Sequence, residues 1–334
     1  YFHMFSLLLH IGCVCLVWKL ISSLLRVHGG VSEKQILYVN FITTLLFAVH
    51  PINVEAVAWI SALKVLLYAF FYLLGLLCYL RYIRTSKIFY YVLTIGCFLC
   101  SFWGKEQAVT FPLALLIVDW FTNRNMKNLE VWSEKMSFLI MAFFFGIITV
   151  LSQGKGPYEM IFPLYQRLLF GCFALVEYIT KSLLPVNLNF FYPFPIVLGE
   201  EPPLHYYLYP VVLLFLMGWI IAYRNNRYLV FGVLLFLVNL LFSIHLFNMS
   251  RHAIVADRYM YLSYVGIAFL IANGIWWLRK RLSYFKAALV FLFFYCFFLS
   301  VYTFHYTKKW ENTTMVKKYT KEVLEKRLNG SNHL

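Results

Sequence analysis

The sequence predicts an all-α polytopic membrane protein with about ten transmembrane helices and one further helix that is interfacial or half-buried. Of its 334 residues, 62% are hydrophobic and only 13% are charged, and the mean hydropathy is +0.73. Soluble domains carry about twice that charged fraction. The apolar runs are continuous and suit a bilayer core of roughly 30 Å, whereas a transmembrane β-barrel would show short alternating segments.

The crossing segments are apolar runs separated by short polar connections. They lie at about 5–25, 35–50, 60–80, 88–103, 108–121, 136–152, 206–223, 228–247, 259–278 and 286–305. A further apolar stretch, about 165–184, carries Arg167, Glu177 and Lys181, and the last two stand at helical i,i+4 spacing. These charges favour a helix at the outer interface, or a half-buried one, over a lipid-exposed span.

Five basic connections orient the predicted helices. Their basic residues are Arg26 and Lys34; Arg81, Arg84 and Lys87; Arg124, Lys127 and Lys135; Arg224 and Arg227; and Arg279, Lys280, Arg281 and Lys286. The positive-inside rule places all five in the cytoplasm, which requires that 165–184 does not cross completely. The connections at residues 50–59, 103–107, 153–205 and 248–261, and the C-terminal tail, then face the lumen or periplasm.

The net charge of +15 does not indicate a nucleic-acid partner, because the basic residues sit in short clusters where topology signals lie. The seven cysteines are scattered without a CxxC pair, which is typical of packing residues and not of a metal site or disulfide framework. No motif requires a cofactor, and a divalent cation is left open.

Unusual polar residues concentrate on the predicted outer face. GKEQ places Lys105 and Glu106 in a short connection, either as a solvated pair in a tight turn or as a site for an anionic headgroup. In ADRYMY, Asp257 and Arg258 begin a helix, where they either cap it beside an interfacial tyrosine belt or grip a phosphate. The Pro- and aromatic-rich stretch 189–207 cannot be a regular helix. It is either an ordered loop that packs on helix ends or, on a weaker signal, part of a sugar-binding groove that uses stacked aromatics.

Five motifs in order carry a family resemblance over nearly the whole chain. They are YFHMFSLLLH (1–10), HPINVEAVAWIS (50–61), GKEQAVTFPLALLIVDWF (104–121), ADRYMYLSYVG (256–266) and a tail that begins at Trp310. The chain resembles the membrane domain of the transmembrane and tetratricopeptide-repeat proteins, which include O-mannosyltransferases of the endoplasmic reticulum, and the bacterial members look closer.

The resemblance implies a GT-C-like glycosyltransferase fold that moves a sugar from a polyprenyl-phosphate carrier to a protein or glycan acceptor on the outer face, with membrane lipid as a further partner. The implied catalytic residues are Glu55, Glu106 and Asp257, and the implied substrate-binding residues are His50, Lys105, Arg258 and Trp59. In that reading the two cations bind the carrier phosphate.

Three departures from the family pattern matter. Such enzymes carry an acidic general base in the first outer loop, and the chain begins after that point, so a missing preceding segment or a loss of catalysis is expected. Leu63, Lys64 and Val65 stand where the family has an Arg-Lys-Asp-like triplet. Only about 25 residues follow Trp310, less than one tetratricopeptide repeat.

Three functions therefore remain open: a glycosyltransferase, a non-catalytic binding or assembly protein derived from the same fold, and a transporter. A transporter should show mid-membrane charges and paired broken helices, and neither is evident. The expected organisation is a GT-C-like transmembrane domain over 1–305 and an outer helical tail over 306–334, which could begin a repeat region. The bacterial inner membrane is the preferred location, or the endoplasmic reticulum membrane in a eukaryote.

Overall fold

The computed structural model describes residues 2–152, 162–244 and 253–331, and these are almost entirely helical. The α-helices of these ranges are α1 (Phe2–His28), α2 (Glu33–Val49), α3 (Val54–Ala58), α4 (Leu63–Thr85), α5 (Ile88–Gly104), α6 (Phe111–Phe121), α7 (Leu129–Ser152), α8 (Leu164–Leu183), α9 (Leu208–Ala222), α10 (Arg227–Leu240), α11 (Met260–Trp277), α12 (Leu282–Thr307) and α13 (Thr313–Ser331). Each of the ten predicted segments contains a helix. The tenth, α12, runs two residues past the predicted domain boundary at 305.

Fewer helices than predicted are long and apolar enough to span a membrane. Within the described residues six stretches qualify by length and composition: Phe2–His28, Ile60–Thr85, Leu129–Thr149, Leu204–Ala222, Asp257–Lys280 and Leu282–Trp310. A seventh arises if α2 and the bent segment Pro51–Ala58 are taken as one span. A straight crossing needs about 20 residues, and α5, α6 and α10 are only 17, 11 and 14 residues long. Ten spans are therefore not confirmed.

The core forms where α4 packs on α1 and α5, and α11 packs on α2 and α10. Glycines allow the closest approaches. A Cβ on Gly266 would lie 2.5 Å from the Gly232 carbonyl oxygen of α10, and a Cβ on Gly104 would lie 2.7 Å from the Tyr68 amide nitrogen of α4. Small residues of this kind let apolar helices meet backbone to backbone. In contrast, α9 buries none of its residues and lies at the periphery.

Connections predicted to face the cytoplasm meet at one end of the bundle, which we call the inner end. His28 hydrogen-bonds through Nδ1 to the Phe121 carbonyl over 2.7 Å, and Asn123 Nδ2 donates to the His28 carbonyl over 3.3 Å. Arg227 donates to the Trp120 carbonyl over 3.2 Å and to the Asn123 side chain. These connections gather at the same end of the bundle, in agreement with the predicted topology. Which side of the membrane each end faces stays a prediction.

The helix α8, which covers the ambiguous stretch 165–184, lies against the opposite, outer end. Phe170 packs on Tyr206 just before α9, and the Gly171 backbone lies close to the Ile244 carbonyl after α10. Tyr178 accepts a hydrogen bond from the Ala256 amide just before α11. Its last residue contacts the middle of α12, where the Tyr295 hydroxyl donates to the Leu183 carbonyl. These contacts fit a half-buried helix, and α8 is not among the candidate spans.

Candidate functional site

A break between α2 and α3 creates the outer-end site. The chain bends by 51° at His50, whose Nδ1 accepts a hydrogen bond from the Ile52 amide. Pro51 starts a short 3₁₀ turn, and Asn53 Nδ2 donates to the Phe47 carbonyl over 2.7 Å. Proline suits the first turn of a helix because its missing N–H is unneeded there. Glu55, in the short helix α3 that follows the bend, is fully buried in the protein.

Glu55 and Arg258 form an ion pair across 203 residues of sequence. The Arg258 backbone amide donates to Glu55 Oε2 over 2.7 Å, and its guanidinium donates to Oε1 over 2.5 Å. The Glu55 side chain is 0% exposed and that of Arg258 is 23% exposed. The buried carboxylate thus fixes both the backbone and the guanidinium of Arg258, and the single guanidinium bond leaves most of the five N–H donors for other partners.

Lys105 lies next to this pair, as the sequence predicted. The Lys105 Nζ is 4.4 Å from the ring centroid of Tyr259, and the Arg258 Cζ is 5.2 Å from the same centroid. The two cationic groups are therefore less than about 10 Å apart, within the span of one phosphate or pyrophosphate and its hydrogen bonds. Arg258 also lies 5.3 Å from the ring of Trp59. Glu55 is the anion bonded to Arg258 in this structure, and the charge of Lys105 also acts on it.

Asp257 belongs to a neighbouring cluster and not to the Glu55–Arg258 pair. Its two carboxylate oxygens accept hydrogen bonds of 3.0 and 3.1 Å from the Tyr192 hydroxyl. Lys181 lies 4.5 Å from the Tyr192 ring and pairs with Glu177 at 3.4 Å. Burial raises the pKa of the Tyr192 hydroxyl well above its usual value, and the charge of Asp257 acts in the same direction, so the hydroxyl stays a proton donor.

Two predicted site residues lie apart from these contacts. Glu106 is partly exposed at the start of a 3₁₀ turn and makes no ion pair within the described ranges. His50 is 1% exposed and packs on the Tyr264 ring, with centroids 4.2 Å apart. His10 and His245 lie inside predicted spans, where a histidine is more typical of a hydrogen bond between helices than of a ligand. His10 of α1 makes such a bond with the Tyr261 hydroxyl of α11 at 2.7 Å, and His245 lies outside the described residues.

Aromatic side chains connect the site to the C-terminal tail. Trp59 packs edge-on against Phe190 at 5.1 Å and lies 6.3 Å from Trp310. The stretch 189–207 thus packs on helix ends, as predicted. The Tyr319 hydroxyl of α13 donates to the Leu188 carbonyl over 3.1 Å. The tail is therefore held against the loop that touches Trp59.

An open cavity of about 930 Å³ lies beside the ion pair, and we call it the outer cavity. Its walls come from the first turns of α1, the break around His50 and Asn53, the last turns of α12, and the segment 308–311. It thus has the size of a small-molecule site. Within the described ranges no three His, Cys, Asp or Glu side chains are grouped so that they could hold a metal ion.

A second charged cluster, the inner network, was not predicted. Lys135 of α7 pairs with Asp119 of α6, and both side chains are 0% exposed. The Tyr79 hydroxyl of α4 donates to Asp119 over 2.8 Å, and Arg124 bonds Glu134 at 2.6 and 2.9 Å. Sequence reasoning took Arg124 and Lys135 only as topology signals. Asp119, the one acid of the apolar run 108–121, was the signal that could have revealed the network.

Within the described ranges the protein is helical, with several apolar helices and buried opposite charges at both ends, and such a fold is that of a multi-pass membrane protein with internal polar clusters. Comparison with known proteins finds partial similarity to animal O-mannosyl-transferases. The chain is 32% identical over 137 residues to Protein O-mannosyl-transferase TMTC2 of Mus musculus and 33% identical over 137 residues to that of Homo sapiens; each match covers 39% of this chain and 15% of the relative. It is 27% identical over 149 residues to Protein O-mannosyl-transferase Tmtc3 of Drosophila melanogaster, covering 39% and 16%.

Over about two fifths of its length, the chain is thus similar to proteins named O-mannosyl-transferases. The matched region spans only about one sixth of the relatives' lengths. The matches do not show the predicted closeness to bacterial members, so the bacterial inner membrane stays a prediction. No protein-family profile matches the chain. No solved structure matches it significantly.

Proposed function

We propose that the protein is a GT-C-type glycosyltransferase that takes a hexose from a polyprenyl-phosphate carrier and transfers it to a hydroxyl of a protein or glycan acceptor at its outer end. The names of the partial relatives favour mannose as the sugar and a protein as the acceptor. The observation that carries the proposal is the convergence of Arg258 and Lys105 on one partly water-excluded point beside the outer cavity.

The two cations suit the leaving group of this reaction. The acceptor oxygen forms a bond to the anomeric carbon while the bond from that carbon to the phosphate oxygen breaks. The carrier phosphate then gains one negative charge, which guanidinium and ammonium donors stabilise strongly where water is partly excluded. Glu55 holds the guanidinium in place before substrate binds, so little reorganisation is needed.

The proton of the acceptor hydroxyl needs a base. Both oxygens of Glu55 are bonded to Arg258, and Asp257 accepts from Tyr192, so these acids serve better to position Arg258 and its neighbours. Glu106, partly exposed beside Lys105, is the remaining predicted acid for this step. We therefore propose that Glu106 is the general base and that Lys105 and Arg258 bind the carrier phosphate. Trp59 supplies an aromatic wall beside them, and His50 lines the outer cavity.

The test uses the purified full-length protein in vesicles that contain mannosyl-labelled polyprenyl phosphate, with a Ser/Thr-rich polypeptide as acceptor. We expect labelled polypeptide, and a loss of about 30- to 1,000-fold for Arg258→Ala, because removing one cation from a partly dry site costs on the order of 2–4 kcal/mol. Arg258→Lys should also be impaired, because a point ammonium cannot replace the planar fork.

Arg26→Ala is the matched control, because Arg26 forms an exposed pair with Glu33 at 3.2 Å. This variant should transfer sugar at the wild-type rate. Carrier binding without transfer in the wild type would support the other candidate, a non-catalytic binding or assembly protein. Normal carrier binding by both Arg258→Ala and Lys105→Ala would overturn the phosphate assignment and leave these residues as capping and belt residues.

A further inference from the structure

Three aromatic rings from three helices meet near the inner end, and we call them the ring cluster. The Tyr38 ring of α2 lies 5.6 Å from the Trp276 ring of α11 and 5.9 Å from the Phe285 ring of α12, measured between centroids. Phe285 is buried, whereas Tyr38 is 40% exposed, so the cluster reaches the surface along α2. The rings thus join three helices close to the points where each helix meets the inner end.

Each of these helices also places a cation about one turn nearer the inner end than its ring. Lys34 precedes the α2 ring by four residues, Arg281 precedes the α12 ring by four, and Arg279 follows the α11 ring by three. Residues at these spacings lie on one face of a helix. Because α2 and α12 begin at the inner end and α11 finishes there, the three cations lie on the same side of the ring cluster. We call these three cations the basic rim.

Neighbouring rings orient the two guanidinium groups of the rim. The Arg279 Cζ lies 4.3 Å from the ring centroid of Trp276, and the Arg281 Cζ lies 5.8 Å from that of Tyr284. A guanidinium that stacks on a ring keeps the N–H donors around its edge. Both groups can therefore donate to an anion without leaving their rings.

The basic rim has no acidic partner of its own. Within the described residues none of its three cations forms an ion pair. Glu33, next to Lys34 in sequence, pairs with Arg26 at 3.2 Å. Lys280 and Lys286 add two more exposed cations around the turn between α11 and α12. This concentration of positive charge favours an anion from outside the chain.

Exposed apolar surface beside the rim favours a lipid over a soluble anion. Trp277 and Tyr284, which are 65% and 57% exposed, flank the turn between α11 and α12, and such rings are typical of the headgroup level of a bilayer. Farther from the inner end, Leu37 and Phe41 share one face of α2 and are 57% and 53% exposed. A phospholipid can place its phosphate at the rim and its acyl chains along α2, whereas a soluble anion would leave the apolar face uncovered.

We propose that the basic rim and the ring cluster form a binding site for one anionic glycerophospholipid, with its phosphate held by Lys34, Arg279 and Arg281. Basic pockets between transmembrane helices are a recurring form of anionic-lipid site. The site lies at the end of the bundle opposite the proposed sugar transfer and does not depend on it. A lipid bound there joins the inner ends of α2, α11 and α12.

The experiment counts the lipids bound to the full-length protein in detergent by native mass spectrometry. The probes are phosphatidylglycerol and phosphatidylcholine with the same acyl chains. The wild type should bind phosphatidylglycerol about tenfold more tightly, because only that headgroup carries a net negative charge. Arg279→Gln together with Arg281→Gln should remove this preference, because each cation near a headgroup contributes about fivefold to its binding. If the double variant does not fold, Arg279→Gln alone carries the test, with an expected loss of about fivefold.

Lys127→Gln together with Arg224→Gln is the matched control. It removes the same charge from two exposed residues of the inner end that lie in other connections, away from the ring cluster. This variant should keep the full preference for phosphatidylglycerol. An equal loss in both double variants would overturn the proposal, because general positive charge and not a defined site would then attract the lipid.

Glycerol phosphate distinguishes a lipid headgroup from a free phosphate ester. It carries the phosphate without acyl chains and should not displace phosphatidylglycerol at equal concentration. Full displacement would assign the rim to a soluble phosphate ester and refute the lipid site. Equal binding of the two phospholipids by the wild type would refute it as well.

Discussion

At the scale of single residues, the orientation of Arg258 depends on two contacts: one that Arg258 itself makes and one that its neighbour Asp257 makes. Glu55 fixes its guanidinium and its backbone amide, while Asp257, its neighbour, is fixed by Tyr192. Tyr192 also bridges Val255 through its backbone, and its carbonyl accepts from the Ile254 amide at 2.9 Å. The loop that contains Tyr192 therefore holds the segment before α11 in place.

We expect Tyr192→Phe to destabilise this arrangement. The substitution keeps the ring but leaves the buried Asp257 carboxylate without its donor, which costs about 1–3 kcal/mol, or more for a charged group. A lower midpoint of thermal unfolding in detergent would show the loss. Tyr165→Phe is the control, because the Tyr165 hydroxyl donates to Glu201 at an exposed position and its loss should change little. Equal midpoints for both variants would contradict the positioning role.

At the scale of helices, the inner network holds three of them together. Tyr79 comes from α4, Asp119 from α6, and Lys135 and Glu134 from α7. The apolar faces of these helices supply little specificity for their relative register, because lipid is as apolar as the side chains. The fully buried Lys135–Asp119 pair supplies this specificity, because a shift of one helix along another would leave a buried charge without its partner.

A double-mutant cycle should reveal this coupling. Lys135→Met or Asp119→Asn alone should each destabilise the fold by about 3–5 kcal/mol, because each removes one partner of a fully buried pair. The double variant should cost clearly less than the sum of the two. The measurement is the temperature at which helical signal is lost in detergent.

The same cycle on Lys321 and Glu325, an exposed i,i+4 pair of α13, should give a coupling near zero. Additive effects at Lys135 and Asp119 would mean that the two side chains act independently, against the role assigned to the network.

At the scale of the whole molecule, the two ends of the bundle differ in the connections that meet there. The inner end joins basic connections, and the outer end joins the break after α2, Lys105, the loop around Tyr192 and the start of α11. Large apolar side chains are exposed along α9 and α12, as expected where lipid covers them. The end that carries the site is therefore predicted to face away from the cytoplasm.

Thiol labelling in sealed vesicles or cells should establish this orientation. A cysteine at Glu311, which is exposed at the outer end, should react with an impermeant reagent from outside, and one at Asn226, which is exposed at the inner end, should not. The exposed Cys15 is first replaced by alanine. Asn53 would be a poor reporter, because it is 3% exposed. The reverse labelling pattern would place the site on the cytoplasmic side.

The sequence by itself determined the helical class and the position of a helix in each predicted segment, because apolar run length is a local property. The incomplete insertion of α8 stays a prediction. The sequence also predicted that Lys105 and Arg258 lie at the same end of the bundle, because successive crossings alternate in direction and so decide which connections share a side. Its ten spans are not confirmed, because hydropathy along the chain does not show where a helix begins: α6, for example, begins only after a 3₁₀ turn.

Only the tertiary structure decided the pairings. Glu55 with Arg258, Tyr192 with Asp257 and Asp119 with Lys135 join different helices or loops, and the first pair is 203 residues apart. A sequence periodicity shows which face of a helix is apolar but not which helix lies against it. The partner of each buried charge, and hence whether it grips a ligand or a neighbouring side chain, follows from the helix packing alone.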